Sequence, residues 1–516
     1  MTIRTRFAPS PTGYLHVGGI RTALFAFLVA RQAGGQFILR LEDTDKKREV
    51  DGSADHLITS LHALGLTYDE GPDIGGPYAP YIQSERLQNG GNYHQWANKL
   101  LQTGRAYVDP YTPEEVQGFR EQAQKEKRAF LYRDHRPDNP SIQWDLGMTL
   151  RFKSEPKAYT WHDEVMGDIS TGPDVVDDFI LVKADGYPTY NFAHIIDDAE
   201  MRITHVIRGQ EFISSMPNYL NLYEALGILP EAESPSPESY DDKEAAFWSL
   251  KPGFYYRPLF AHMPHIMNEQ GNKKLGKRDG AKDVLDYIRD GYLPEALDSF
   301  IATMGWNDGT EQEVFTMNEL IEKFSFDRVQ RSGARFDEKR LLWMNGQWIR
   351  RLELDDLYQR VAHYWPNSAE TSGESYKKQV LTLVQDRLKT LAELPLMTRY
   401  FFEEPKEDWS LVSDNKQLSK LERGEITTIL HVAHDALQTV DNWTPDAIQA
   451  TLNVLLETTH QKPAILFGLI RVVTTWAPFS PQLGDTLALL GKERTLARLS
   501  SVPASAVTTT VDQILS

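Results

Sequence analysis

A chain of 516 residues is long enough for several domains, because single hydrophobic cores stop growing well below that length. Apolar residues make up 41% and charged residues 25%, an ordinary globular balance, and the absence of cysteine excludes disulfides and thiolate metal sites. The net charge of −18 counts on average against binding a polyanion, yet 120–136 and 328–351 each carry more Lys and Arg than Asp and Glu, so nucleic acid stays open.

At the N-terminus, MTIRTRFAPSP lacks the apolar core of a signal peptide. TALFAFLVA at 22–30 is closed by Arg21 and Arg31 at about half the ~20 residues that a membrane span needs, which predicts a cytoplasmic protein with no membrane partner. Residues 3–7 predict a short strand, and Ile20, Leu24, Phe27 and Leu28 recur at helical spacing, predicting an amphipathic helix over about 18–32 that Gly34 and Gly35 end. QFILRL at 36–41 is a near-continuous apolar run of the kind found in buried parallel strands. Together these make a right-handed βαβ unit, whose ligands gather beyond the carboxyl ends of the strands. Residues 52–65 predict a second helix closing at Gly65. From about 85 to 190 the texture changes to mixed short strands, a charged helix near 113–128 and turn signals such as RPDNPS at 136–141, which reads as an insertion. Strand-like runs return at 177–183 and 203–209, and 230–253, rich in Pro, Ser and acidic residues, predicts a surface loop or linker. From about 283 helical periodicity dominates, and the last ~180 residues predict an almost wholly α-helical region with no internal repeat.

APSPTGYLHVGG at 8–19 lies where the first strand hands over to the helix. Glycines there let the backbone approach a phosphate, and the helix N-terminus offers free N–H donors. The stretch is neither the GxGxxG fingerprint nor a Walker A loop, so from the residues alone nucleotide binding and a purely structural turn stand level. KKLGKR at 273–278 reads, on the residues alone, as a solvated basic turn. No HExxH or comparable ligand pair occurs, so neither a metal-ligating residue nor structural zinc is expected.

PSPTGYLHVGG followed by RTALF, and RLEDTD at 40–45, resemble the start of a bacterial glutamyl-tRNA synthetase, a class I aminoacyl-tRNA synthetase. HVGG at 16–19 stands in the place of that class's HIGH signature and KLGKR at 274–278 in the place of KMSKS. GPYAPYIQSER at 76–86, DGYPTYNFAH at 185–194, HVIRGQEF at 205–212, GYLPEAL at 291–297, FDEKRLLWMNGQWIR at 336–350 and LGKERTLARL at 490–499 continue the resemblance in order along nearly the whole chain.

The resemblance implies an α/β fold: a Rossmann-like parallel-sheet catalytic domain over 1–84 and 190–255, an inserted tRNA acceptor-binding domain over 85–189, a stem-contact region over 256–335 carrying the lysine loop, and a helical anticodon-binding region over 336–516. It implies ATP-dependent activation of L-glutamate to glutamyl-adenylate and transfer to the terminal adenosine of tRNA(Glu), with Mg2+ arriving with the nucleotide and a monomer as the working form. Charging of tRNA(Gln) as well is left open. Carried over position by position, Arg6 and Arg208 bind carboxylate, Glu42 partners the ammonium, and Ser10, Tyr190 and His194 line the glutamate site. His16, Lys274 and Lys277 are the catalytic group, and Gly18, Gly19, Glu211, Met267 and Arg278 join them around ATP. The chemistry suits these residue types. Glutamine, the neutral isostere, would leave buried cations unpaired, and adenylate formation needs charge stabilisation rather than a covalent nucleophile.

Four features depart from the pattern. Gly276 stands where the lysine loop usually has serine, His194 occupies a variable position, the cysteine-based zinc knuckle that some members carry in the inserted domain cannot form without cysteine, and the 230–253 segment is longer than the expected short connection. A short tRNA-modifying relative would lack the helical C-terminus, a glutaminyl enzyme would carry a β-barrel there, and a silent tRNA binder would have no need of the phosphate-facing residues.

Overall fold

The computed structural model describes residues 2–89, 92–229, 255–276, 282–477 and 480–500. The expected linker at 230–253 and two of the expected nucleotide-binding residues, Lys277 and Arg278, lie outside the described residues. Two compact units divide the chain, one of Met1–Asp286 with Leu297–Asp337 and one of Tyr287–Ala296 with Glu338–Ser516.

The first unit opens with strand β1 (Arg4–Phe7), helix α1 (Val17–Gln32) and strand β2 (Gln36–Leu39), the two strands parallel from Arg4 beside Gln36 to Phe7 beside Leu39. α1 is more deeply buried than an amphipathic surface helix: Ile20, Leu24, Phe25 and Leu28 are wholly enclosed. Each such side chain contributes roughly 1.5–3 kcal/mol by leaving water. The return from α1 to β2 is sterically specified, because a Cβ on Gly35 would lie 2.1 Å from the Ile3 carbonyl oxygen.

Helix α2 (Ser53–Ala63) precedes the insertion, α3 (Gln83–Gln88) spans its expected start at 85, and α4 (Tyr93–Gln102) lies within it. Its charged helix α5 (Pro113–Lys125) starts on a capping box, Thr112 and Glu115 each satisfying the other's backbone amide, with proline in the first turn. Strands β3 (Ala106–Asp109), β4 (Thr149–Phe152) and β7 (Ile180–Val182) form one antiparallel sheet, and β5 (Tyr159–Asp163) pairs with β6 (Gly167–Thr171) as a hairpin. The chain then returns through α6 (Tyr190–Glu200), β8 (His205–Gly209), α7 (Met216–Leu226) and β9 (Leu259–Met263).

The main sheet is parallel throughout, in the order β2–β1–β8–β9. Its fourth strand at 259–263 falls beyond residue 255, so the catalytic sheet extends past the boundary expected from the sequence. The insertion is not a separate body: Trp96, Phe152 and Leu181 share one buried core with Val206 and Phe260 of the sheet. That sharing explains why the sequence shows a change of texture at 85 but no linker. Beyond β9, the short strands β10 (Ile266–Met267) and β11 (Ala334–Arg335) pair in parallel.

In the second unit every regular element among the described residues is helical, around a core that includes Ile429, Leu452, Leu469 and Leu487. Tyr287–Ala296 is built into it. Leu293 N–H donates to the Asn345 side-chain oxygen at 2.8 Å, and the Asn345 amide donates to the carbonyls of Lys389 at 2.6 Å and Gly291 at 3.3 Å. Gly291 has φ +86°, and a Cβ there would meet the Ala392 nitrogen at 2.4 Å. A side chain would break the packing at that point.

Candidate active site

In the β2–β1–β8–β9 order the chain leaves β1 toward β2 on one side and later returns on the other as β8. The crevice beyond the carboxyl ends of β1 and β8 is therefore the topological switch point. Arg6 lies on β1 and Arg208 on β8, both nearly enclosed at 3% and 5% exposure.

Arg6 is already neutralised. Its Nε donates to Asp198 Oδ1 at 3.0 Å, Nη2 to Asp198 Oδ2 at 3.4 Å and Nη1 to the Ile207 carbonyl at 3.3 Å. Asp198 is shared with Arg40, whose Nη2 lies 2.8 Å from Oδ1. Burial opposes the charge on Asp198, but Arg6 and Arg40 outweigh it and hold the carboxyl down at about 2. Arg40 also donates to Glu42 Oε1, from Nη2 at 2.8 Å and from Nε at 3.3 Å.

Two groups in this crevice lack their complements. Glu42 Oε2 is buried with no hydrogen-bond partner, and burial, only partly countered by Arg40 and Arg6, pushes the Glu42 carboxyl up to about 7. Arg208 pairs with no carboxylate among the described residues. Its Nε donates to His262 Nε2 at 3.1 Å, Nη1 stands 3.4 Å from His194 Nε2, Nη2 contacts Met216 Sδ at 3.0 Å, and the guanidinium lies over the rings of Phe212 and Tyr219. A buried cation without a counter-ion beside a buried carboxylate oxygen without a donor is costly unless a ligand supplies both complements.

His194 is held neutral. Burial first, and then the charge of Arg208, push it down to about 3. Its Nδ1–H donates to the Tyr190 carbonyl at 2.7 Å, which turns the Nε2 lone pair toward Arg208. The Tyr190 ring stacks on His194 at 4.8 Å and on Phe212 at 5.3 Å. Burial raises the Tyr190 hydroxyl, Glu42 raises it further, and Arg208 and Arg6 oppose them, which places all three charged groups around one tyrosine. Arg6, Glu42, Tyr190, His194 and Arg208 thus come together, whereas Ser10 is exposed and makes no hydrogen bond with them.

Of the expected nucleotide-facing residues, His16, Gly18 and Gly19 lie at the start of α1 and Glu211 in the turn after β8. His16 is the exposed N-cap of α1, its Nδ1 accepting from Gly18 N–H at 3.2 Å, with Gly18 and Gly19 in the first turn. A Cβ on Gly19 would stand 2.7 Å from Leu15 Cδ1. Lys274 Nζ donates to Glu211 Oε1 at 3.3 Å, and His265 Nδ1 lies 3.8 Å from Glu211 Oε2. Met267 sits in β10 and forms an isolated bridge with Lys274. Arg21 of α1 is buried and donates to the carbonyls of Pro264 and Met304; burial lowers it to about 10 against the pull of Glu211.

Sequence reasoning missed Arg40, Asp197, Asp198, Asp163 and His262. The signal available was a charge inside an apolar run, as in QFILRL and FAHIIDDA, where burial forces pairing. Among the described residues no group of three or more His, Asp or Glu side chains is placed to hold a metal ion, and no helix is long and apolar enough to cross a membrane.

The family model described as tRNA synthetases class I (E and Q), catalytic domain, matches residues 2–236 and 236–343, and an anticodon binding domain model matches 356–503. A glutamate–tRNA ligase of a Roseiflexus species is 39% identical over 98% of this chain and 97% of its own length. The one of Chloroflexus aurantiacus is 37% identical over 98% of each chain. The crystal structure of a glutamate tRNA ligase from Elizabethkingia meningosepticum in complex with its amino acid superimposes with a TM-score of 0.81 at 29% identity, covering 99% of this chain and 100% of that one.

Proposed function

The chain belongs to the class I tRNA synthetases for glutamate and glutamine, and among them to the glutamate–tRNA ligases; from that premise we propose how its residues divide the reaction. Arg208 takes the side-chain carboxylate of glutamate, since it is the buried cation left without a counter-ion. Glu42, through its unpartnered Oε2, takes the ammonium. Arg6, fixed by Asp198, lends direction to the carboxylate site more than net charge. Tyr190 and His194 close the wall between them, and Ser10 meets the amino acid from the rim.

Glutamine is excluded because its neutral amide would leave Arg208 buried and unpaired, a penalty of about 3–5 kcal/mol, or roughly 10²–10⁴-fold in preference. His16 and the α1 N-terminus with Gly18 and Gly19 receive the phosphates, and Glu211 and Met267 hold the adenosine side. Lys274, joined by Lys277 and Arg278, brings positive charge to the α-phosphate as the glutamate α-carboxylate attacks it. Mg2+ enters with ATP as part of the substrate. The tRNA acceptor end falls to the 85–189 insertion, the stem to the region around the lysine loop, and the anticodon to the helical residues from 338 onward. The working form is a cytoplasmic monomer.

The observation that carries this reading is the pairing of two unmet complements, Glu42 Oε2 and Arg208, around Tyr190. Purified protein charges tRNA(Glu) with labelled glutamate and not with glutamine, and tRNA(Gln) serves as the second arm of the same assay. Equal charging with both amino acids, or none where a control synthetase succeeds, overturns the assignment.

A further inference from the structure

The Arg208 guanidinium is aimed by a chain of buried hydrogen bonds that starts in the β5–β6 hairpin of the insertion. Asp163 ends β5 and is wholly enclosed. Its Oδ1 accepts three backbone N–H groups, from Val165 at 3.1 Å, Met166 at 2.9 Å and His262 at 3.2 Å. Its Oδ2 faces His262 Nδ1 at 2.5 Å, and neither side chain of the pair is exposed to solvent. On the far side of the ring, His262 Nε2 accepts from Arg208 Nε at 3.1 Å. Hydrogen-bond bookkeeping fixes every proton in this line. An arginine only donates, so Nε2 must be a lone pair; a carboxylate only accepts, so Nδ1 must carry the hydrogen. Burial opposes the charge of Asp163, and the bonds from His262 and the amides overcome it and keep the carboxyl below its ordinary value. Burial likewise lowers His262, in keeping with a neutral ring.

We infer that Asp163 and His262 are positioning residues for glutamate selection, acting by locking the Nδ1–H tautomer so that Nε2 holds Arg208 in the pose that meets the substrate's side-chain carboxylate. The inference rests on the reading of Arg208 as the carboxylate binder. Neither residue touches the substrate. The relay is needed because the other neighbours of Arg208 orient it weakly. Met216 sulfur is a poor acceptor, the rings of Phe212 and Tyr219 attract the cation without directing its N–H groups, and His194 stands at a longer 3.4 Å. His262 is therefore the one well-directed acceptor on Arg208 among the described residues. A rigid hairpin holding the carboxylate through three backbone amides supplies the fixed end.

Asp163→Asn provides the test. The carboxamide oxygen keeps the three backbone donors, which leaves its NH2 facing His262 Nδ1 and drives the ring to the Nε2–H tautomer, donor against donor at Arg208. The expected result is a KM for glutamate raised about 10–100-fold with the KM for ATP unchanged. His262→Gln, which retains an acceptor, should preserve more of the glutamate KM than His262→Phe. Nitrogen-15 NMR of histidine-labelled wild-type protein reads the tautomer directly and needs no variant to fold: a protonated Nδ1 on His262 is required, and a protonated Nε2 overturns the proposal. Equal effects of Asp163→Asn on the glutamate and ATP constants, or none on either, also overturn it. Arg208→Ala in parallel separates the two claims. If it leaves the glutamate KM unchanged, the Arg208 reading itself has failed; if it raises that constant while Asp163→Asn does not, only the relay has failed.

Discussion

Glu42 shows how a single carboxyl can both bind substrate and report on it. With its folded value pushed up to about 7, the group is largely protonated at pH 6 and ionised at pH 8, and only the ionised form pairs with an ammonium. The profile of kcat/KM for glutamate, which follows groups of the free enzyme, should therefore rise with pH through about 7 and then level. A flat profile between pH 6 and 8 would remove Glu42 from the ammonium site. Glu42→Gln should abolish the rise and lower kcat/KM by at least about 100-fold, the cost of losing a buried charge-assisted contact. The same raised value works against the empty protein. A carboxyl held higher in the folded state than its ordinary value of 4.5 contributes stability below about pH 4.5 that is lost as pH climbs through 7, on the order of 3 kcal/mol.

At the scale of the element, α1 carries two jobs at one residue. His16 caps the helix through Nδ1, and the same exposed ring stands where the phosphates are proposed to lie. Substitution can part the two roles. Asn is among the best N-caps, so His16→Asn should hold thermal stability within about 0.5 kcal/mol while ATP–pyrophosphate exchange with tRNA falls by 100-fold or more; His16→Ala should lose activity and about 1 kcal/mol besides. Stability loss without activity loss in both variants would make His16 a cap alone. The elements around this helix were legible in the sequence because β1, α1 and β2 have clean periodicity and a glycine stop. Arg6, Glu42 and Arg208 were legible as charges at strand ends within motifs of a known family. His262 and Asp163 were not. They lie 99 residues apart in the chain, and only the packing of the β5–β6 hairpin beside β9 brings them together. The boundary at 255 failed for a similar reason: β9 is five residues long and isolated from the other strands of its sheet by the 230–253 segment.

The whole chain is organised as two units that exchange a segment. Tyr287–Ala296 belongs to the helical unit although residues before and after it belong to the first. Asn345, fully buried, is one of the residues that hold this segment, through Leu293 and Gly291, to the helical residues near Lys389; Arg360, paired with Glu295, is another. Asn345→Ala leaves the Leu293 N–H and the Lys389 carbonyl without partners inside the helical unit, while the Gly291 carbonyl keeps the Leu391 N–H, a loss on the order of 2–3 kcal/mol. Calorimetry should show the helical unit melting earlier while glutamate affinity at the switch point is unchanged. A coincident fall in glutamate affinity would contradict the separation of the units. The threading also bears on how the molecule can be cut. The chain passes between the units three times, so a single proteolytic nick after Asp337 severs the last passage without freeing the helical fragment, which still grips Tyr287–Ala296 as part of its own interior. Release takes three scissions, one at each passage, and a recombinant helical fragment begun at 338 would lack a piece of its own fold.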